Sequence, residues 1–176
     1  VLITFETERA EATLVRAAQN GDRRAFGALY QQYAPAVHGV LLAHVSYSDA
    51  EDLLQDVFLK AMERLSALRE PNAFCTWLMA IARHAATDHV RGKPLTTQAE
   101  PFLAGRTDRD DEALEALAMI QRLPESYRET LVLRLVEGMT GPEIAARTGL
   151  TPDSVRVNLC RGMKLLREEL EGRRRI

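Results

Sequence analysis

The chain has 176 residues, 46% hydrophobic and 27% charged, with 25 acidic against 23 basic side chains and a net charge of −2. This is the balance of an ordinary globular protein with room for one medium domain or two small ones, and it excludes a chain that coats nucleic acid through bulk positive charge. No apolar run approaches the ~20 residues of a membrane span, no signal pattern opens the chain, and Cys75 and Cys160 lack metal-ligand spacing, so the expectation is a cytoplasmic protein with reduced thiols, no membrane insertion and no cofactor.

Leu14, Ala17 and Ala18 mark a first short helix, broken at Gly21-Asp22, where Asp22 can cap the next. Phe26, Leu29, Tyr30, Tyr33, Val37, Val40 and Leu41 then recur at helical spacing, and Pro35 inside that run predicts a kink. Ser48 and Glu51 read as a capping box. The helix it opens has the clearest amphipathic pattern: Ala50, Leu53, Leu54, Val57, Phe58, Ala61, Met62 and Leu65. A loop is expected from Ser66 to Pro71, then a helix from about Asn72 to Val90 with Phe74, Trp77, Leu78 and Ile81 as its stripe. Residues 92–110 lose the period and hold two prolines and two glycines, which predicts a linker. The helical pattern resumes with Leu114, Leu117, Ile120 and Leu123, and a further helix covers Glu125 to Glu137, closed by Gly138. The expected fold is all-α: two small helical domains, residues 8–92 and 112–171, joined by a flexible linker over 93–111.

Residues 140–167 are the most informative stretch. Thr140 and Glu143 form a capping box, and Gly149 stands where a left-handed residue ends the short helix. Thr151 caps a second helix, Pro152 suits its first turn, Ala145 allows close approach, and Val155 and Leu159 face inward. This is the helix-turn-helix layout, whose second helix enters the DNA major groove; a helical hairpin with no DNA role is the plainer alternative. Arg156, Arg161, Lys164 and Arg167 supply a local basic face.

Two other faces carry chemistry. Asp49, Asp52 and Asp56, with Gln55 between, lie opposite an apolar stripe, either as a solvated face or as an acidic docking surface for a basic partner. Trp77 shares a helix with Arg83, His84, Thr87, Asp88, His89 and Arg91, a mixture suited to unpaired bases and phosphates, although core packing also accounts for Trp77. His84 and His89 are five apart and match no metal motif, and neither a nucleophile with its base nor a phosphate loop is present, so no catalysis is expected.

At these residues the chain resembles a known family. Residues 49–61, DAEDLLQDVFLKA, resemble the core-polymerase-binding helix of bacterial sigma factors. Phe74, Trp77, Leu78, Ile81, Ala82 and Arg83, followed by Asp88 and Arg91, resemble the adjoining promoter-melting helix. Leu123-Pro124, Arg128, Glu137-Gly138, Glu143-Ile144-Ala145, Gly149, Val155 and Arg161 resemble sigma region four. Both blocks in this order, with only a short linker between, resemble the extracytoplasmic-function sigma factors. The resemblance implies a non-catalytic factor that directs core RNA polymerase to promoter DNA, and it implies an anti-sigma partner. It implies polymerase contacts at Asp49, Asp52, Gln55 and Asp56. It implies −10 contacts at Leu68, Arg69, Asn72, Trp77, Arg83, His84, Thr87, Asp88 and Arg91. It implies −35 contacts at Thr151, Ser154, Arg156, Val157, Asn158, Arg161 and Lys164. Leu68 stands where the family usually has an aromatic, His84 where it has Asn, and Gly141-Pro142 where it has a tyrosine–acid pair. Asn158 and Met163 replace frequent arginines and Cys160 a frequent histidine, which implies a less salt-sensitive grip on DNA. A LuxR-type helix-turn-helix regulator and a helical protein–protein adaptor are the alternative readings.

Overall fold

The computed structural model describes the backbone of residues 2–92 and 108–173 and the side chains of residues 9–92 and 112–172. Among the described residues every regular element is helical: α1 (Leu2–Gln19), α2 (Arg23–Leu42), α3 (Tyr47–Arg64), α4 (Phe74–Gly92), α5 (Asp108–Arg122), α6 (Glu125–Leu135), α7 (Gly141–Thr148) and α8 (Pro152–Arg173). The expected linker over 93–107 lies outside the described residues; at 108–111, also expected as linker, the chain is already helical.

α2 is the axis of the first domain. Gly21 (φ 91°) ends α1, and the Asp22 carboxylate accepts from the amides of Arg24 and Ala25 at 2.8 and 3.2 Å, satisfying two donors that no helical carbonyl reaches. α1 is longer than the short helix expected, at 18 residues. α2 runs as one helix through Pro35, which sits on its exposed side. Leu29, Tyr33, Val37, Val40 and Leu41 are fully buried against α1, α3 and α4.

α3 opens two residues before the expected Ser48–Glu51 box. Its cap is Ser46, whose hydroxyl accepts from the Asp49 amide at 3.3 Å and donates to the Asp49 carboxylate. The Asp49 carboxylate returns to the Ser46 hydroxyl, a variation on the reciprocal box set two residues earlier, and Asp49 also lies 3.2 Å from His89 Nε2 on α4. Ala50, Leu53, Val57, Phe58, Ala61 and Leu65 are buried as expected, but Met62 is 52% exposed. The segment expected as a loop carries two tight 3-10 turns, Leu65–Ala67 and Pro71–Ala73, so α4 begins at Phe74. Gln19 staples that segment to α1, donating to the carbonyls of Leu65 and Leu68 at 3.0 and 2.7 Å.

In the second domain the Thr140–Glu143 capping box forms in both directions, and Gly149 ends α7 at φ 76°. Thr151 Oγ1 accepts from the Ser154 amide at 3.2 Å at the start of α8. Ile144 and Val155 are buried with Leu133 in a small core flanked by Ala145 and Leu159. α6 and α8 meet where Gly162 leaves room for Leu131 and Tyr127.

The two domains pack on each other. One continuous buried cluster joins Val40 and Leu41 of α2 to Leu117 and Ile120 of α5 and to Leu131 and Val132 of α6. α2 and α6 touch at Gly39, where a Cβ would lie 2.6 Å from a methyl of the fully buried Leu133. Gln121 of α5 donates to the carbonyls of Leu42 and Val45 at 2.7 and 2.8 Å, so one domain satisfies the last carbonyl of the other's central helix and one in the turn after it.

Candidate nucleic-acid and protein interfaces

α3 packs its apolar stripe inward, which turns Asp52, Gln55 and Asp56 to the exposed side. Asp49 sits one turn earlier, half-buried and engaged in its cap and with His89. Leu59 is 54% exposed, one turn on from Gln55 and Asp56, and Met62 follows it. These two apolar side chains extend the acidic face into a mixed surface. Helical spacing places Leu59 with Gln55 and Asp56, and that spacing is the signal that finds it.

The residues implied for the −10 element fall into two groups. Arg69, Asn72, His84, Thr87, Asp88 and Arg91 are exposed. His84 Nδ1 lies 2.9 Å from the Ala80 carbonyl, and the Thr87 hydroxyl donates to the Arg83 carbonyl at 2.8 Å. Leu68 and Trp77 are half-buried; Trp77 lies against Phe74 with ring centroids 5.9 Å apart. Arg83 is held across the domain boundary: its Nε and Nη2 donate to the two carboxylate oxygens of Glu129 on α6 at 2.9 and 2.8 Å. His44 Nε2 lies 3.5 Å from the same carboxylate. Burial pushes the Glu129 carboxyl upward, but the hydrogen bonds and charges of Arg83 and His44 outweigh it and bring its pKa down to about 2. A cleft between the domains is lined by Thr87, Val90 and Arg91 on one side and by His44 and Arg128 on others.

Three more contacts cross the boundary. His38 Nδ1 lies 2.8 Å from Glu137 Oε1. The Arg147 guanidinium stands 4.2 Å over the Tyr33 ring. The Cys75 thiol donates to the Ala146 carbonyl at 3.5 Å, and burial pushes its pKa up against the pull of Arg147.

On α8, Thr151, Arg156, Val157, Arg161 and Lys164 are exposed, and Ser154 and Asn158 are half-buried beside them. Arg156 lies 3.4 Å from Asp153 and Lys164 3.9 Å from Glu168, both open surface pairs that compete weakly with phosphate. Thus α8 presents an uncovered face with Arg156 near the helix start, where base edges are reached in a helix-turn-helix, and with Arg161 and Lys164 further along.

Comparison with known proteins places these faces in a family. Residues 29–94 match Sigma-70 region 2, and residues 113–166 match Sigma-70, region 4. The RNA polymerase sigma factor CarQ of Myxococcus xanthus is 34% identical, covering 86% of this chain and 92% of its own. The RNA polymerase sigma-H factor of Pseudomonas aeruginosa is 30% identical over 94% and 96% of the two chains. The ECF RNA polymerase sigma-E factor of Haemophilus influenzae is 29% identical over 92% and 95%. The solved structure of CnrH in complex with the cytosolic domain of CnrY aligns over 93% of this chain and 98% of CnrH at a TM-score of 0.66 and 25% identity. The chain belongs to the extracytoplasmic-function sigma factors of RNA polymerase. It is an alternative sigma factor, which directs core polymerase to promoters and initiates transcription there; the LuxR-type and adaptor readings are not favoured. No described helix is long and apolar enough to cross a membrane.

Proposed function

We propose that Asp52, Gln55 and Asp56, on the helix that the Ser46–Asp49 cap opens, dock this factor onto a basic surface of core polymerase, with Leu59 and Met62 supplying the desolvated centre that charge alone lacks. The turn residues Leu68, Arg69 and Asn72, with Trp77, Arg83, His84, Thr87, Asp88 and Arg91 of α4, capture the melted −10 strand by stacking and phosphate contact. Thr151, Ser154, Arg156, Val157 and Asn158 read the −35 duplex, while Arg161 and Lys164 hold its phosphates. Strand opening is driven by binding bases, without nucleotide hydrolysis. The observation that supports this most is the pairing, on one chain, of an uncovered acidic helix face on α3 with an uncovered basic helix face on α8.

An anti-sigma protein is proposed as the inhibitory partner, because the CnrH relative was solved in complex with the cytosolic domain of CnrY. Transcription with purified core polymerase tests the docking assignment. Asp52→Arg reverses charge at a position that packs against nothing, so it leaves the fold intact and lowers promoter-dependent transcript yield at least tenfold, a loss of ~1.4 kcal/mol in binding. Undiminished yield would overturn the assignment.

A further inference from the structure

We infer that Val157 sets the base preference at one position of the −35 element, by packing its methyls against the C5-methyl of a thymine in the major groove; the inference rests on the −35 reading of α8 proposed above. Val155, Leu159, Gly162 and Leu166 turn toward the core at helical spacing. The outward line of α8 therefore runs through Asp153, Val157, Cys160, Arg161 and Lys164. Val157 stands in the middle of that line, 38% exposed, with Arg156 beside it and Arg161 and Lys164 one and two turns on. The fold has no use for an apolar side chain there, because Val155 and Leu159 already supply the inward contacts. A lone exposed valine is ordinary on a protein surface. A valine flanked by cations, on the helix that a helix-turn-helix offers to the groove, has a ligand of matching chemistry.

The side chain selects its ligand. Valine has neither donor nor acceptor, so it cannot read the hydrogen-bonding groups of a base edge. Among the four ordinary bases, the apolar group presented in the major groove is the thymine methyl. In a helix the valine χ1 is held almost entirely in one rotamer, so its methyls arrive in fixed positions and the contact costs little side-chain entropy. The neighbours say where on the duplex it falls. Asp153 lies one turn before Val157, with its carboxylate 3.4 Å from Arg156 Nη2. Phosphates repel a carboxylate, so the first turn of α8 sits over base edges, and the cations free to hold the backbone come later, at Arg161 and Lys164. Val157 stands between these two regions. A cytosine in the thymine's place presents an amino donor and no methyl, which leaves Val157 without a contact and the amino group facing an apolar surface.

The test uses the full chain bound to core polymerase. Duplexes that this holoenzyme retains from a randomised pool are sequenced, which yields the −35 element. Each thymine of that element, on either strand, is then replaced singly by deoxyuridine, which removes the methyl and leaves base pairing unchanged. At one thymine the replacement weakens binding by the parent about fourfold, the worth of one buried carbon. Val157→Ser weakens binding to the thymine duplex by a similar factor and holds the thymine and deoxyuridine duplexes equally. Val157→Ile keeps the discrimination, which a merely weakened helix would not produce. Circular dichroism confirms that the helices persist in both variants. Arg156→Ala, selected against the same pool, reports on the −35 reading itself and shifts the retained element. An element without thymine, deoxyuridine silent at every thymine, or parental discrimination in Val157→Ser would overturn the methyl contact, while a shifted Arg156→Ala element leaves the −35 reading standing. If Arg156→Ala and Val157→Ser both retain the parent's element, the −35 reading of α8 falls and the methyl contact falls with it.

Discussion

At Glu129 the direction of the pKa shift sets a testable pH window. The carboxyl is drawn down from 4.5 to about 2 by Arg83 and His44, against the upward push of burial. A depressed carboxyl contributes stability that is complete above its unfolded value and is lost as pH falls through its folded value. The Glu129 contribution is therefore whole at pH 7 and at pH 5, and it vanishes as pH approaches 2. The full shift corresponds to roughly 3 kcal/mol, which solvent at the partly open Arg83 side reduces to about 1–2 kcal/mol. Urea unfolding of Glu129→Gln should show that deficit at pH 7 and convergence with the parent near pH 2; a deficit that persisted unchanged at pH 2 would place the loss in packing. None of this was legible in the sequence. Arg83 was readable as a basic residue on a helix with Trp77, but its partner lies 46 positions away, and no local pattern announces such a pairing.

Helix ends were the most legible elements, because caps are local grammar. Thr140, Glu143, Gly149, Thr151 and Pro152 occupy the roles their spacing assigns, and the helix-turn-helix follows from them. Thr140→Ala should lower the unfolding free energy by ~1 kcal/mol, and Gly149→Ala by a similar ~1 kcal/mol because φ 76° strains any side chain; thermal melts check both. The start of α3 was misread for an equally physical reason. Ser46 and Ser48 each stand three residues before an acid, and the helix starts from the earlier one, whose Asp49 also lies 3.2 Å from His89 Nε2 on another helix. Met62 was misassigned because it borders the stripe, where the neighbouring helices stop covering it. On α8 the exposed cations at Arg156, Arg161, Lys164 and Arg167 set an upper bound of about four phosphates for the recognition helix, hence a salt slope near −3.6 in log affinity against log salt. A titration of duplex promoter binding that gave a slope twice as steep would show that phosphates are held elsewhere in the domain.

At the scale of the whole molecule, composition and periodicity announced two helical bodies, and the family match supports that division. How the bodies sit on one another was not announced. The contacts that join them span up to 99 positions, and the hydrophobic pattern that marks a core does not say which domain will complete it. Leu117 and Ile120 read as the inner face of their own helix, and they are, but the cluster they enter also contains α2. Gly39 was equally silent: inside a helix a glycine reads as a local weakness until the neighbouring helix is seen against it.

Gly39 gives the helix that carries it no benefit, since alanine would make α2 more stable by ~1 kcal/mol. The residue serves the boundary between domains at the expense of its own element. Because glycine and alanine codons differ at a single base, one point mutation strengthens α2 and wedges the boundary against Leu133 at the same time. The packing of the two domains is thus a trait that mutation can reset in one step, with no change in any residue of the α3 acidic face or the α8 basic face.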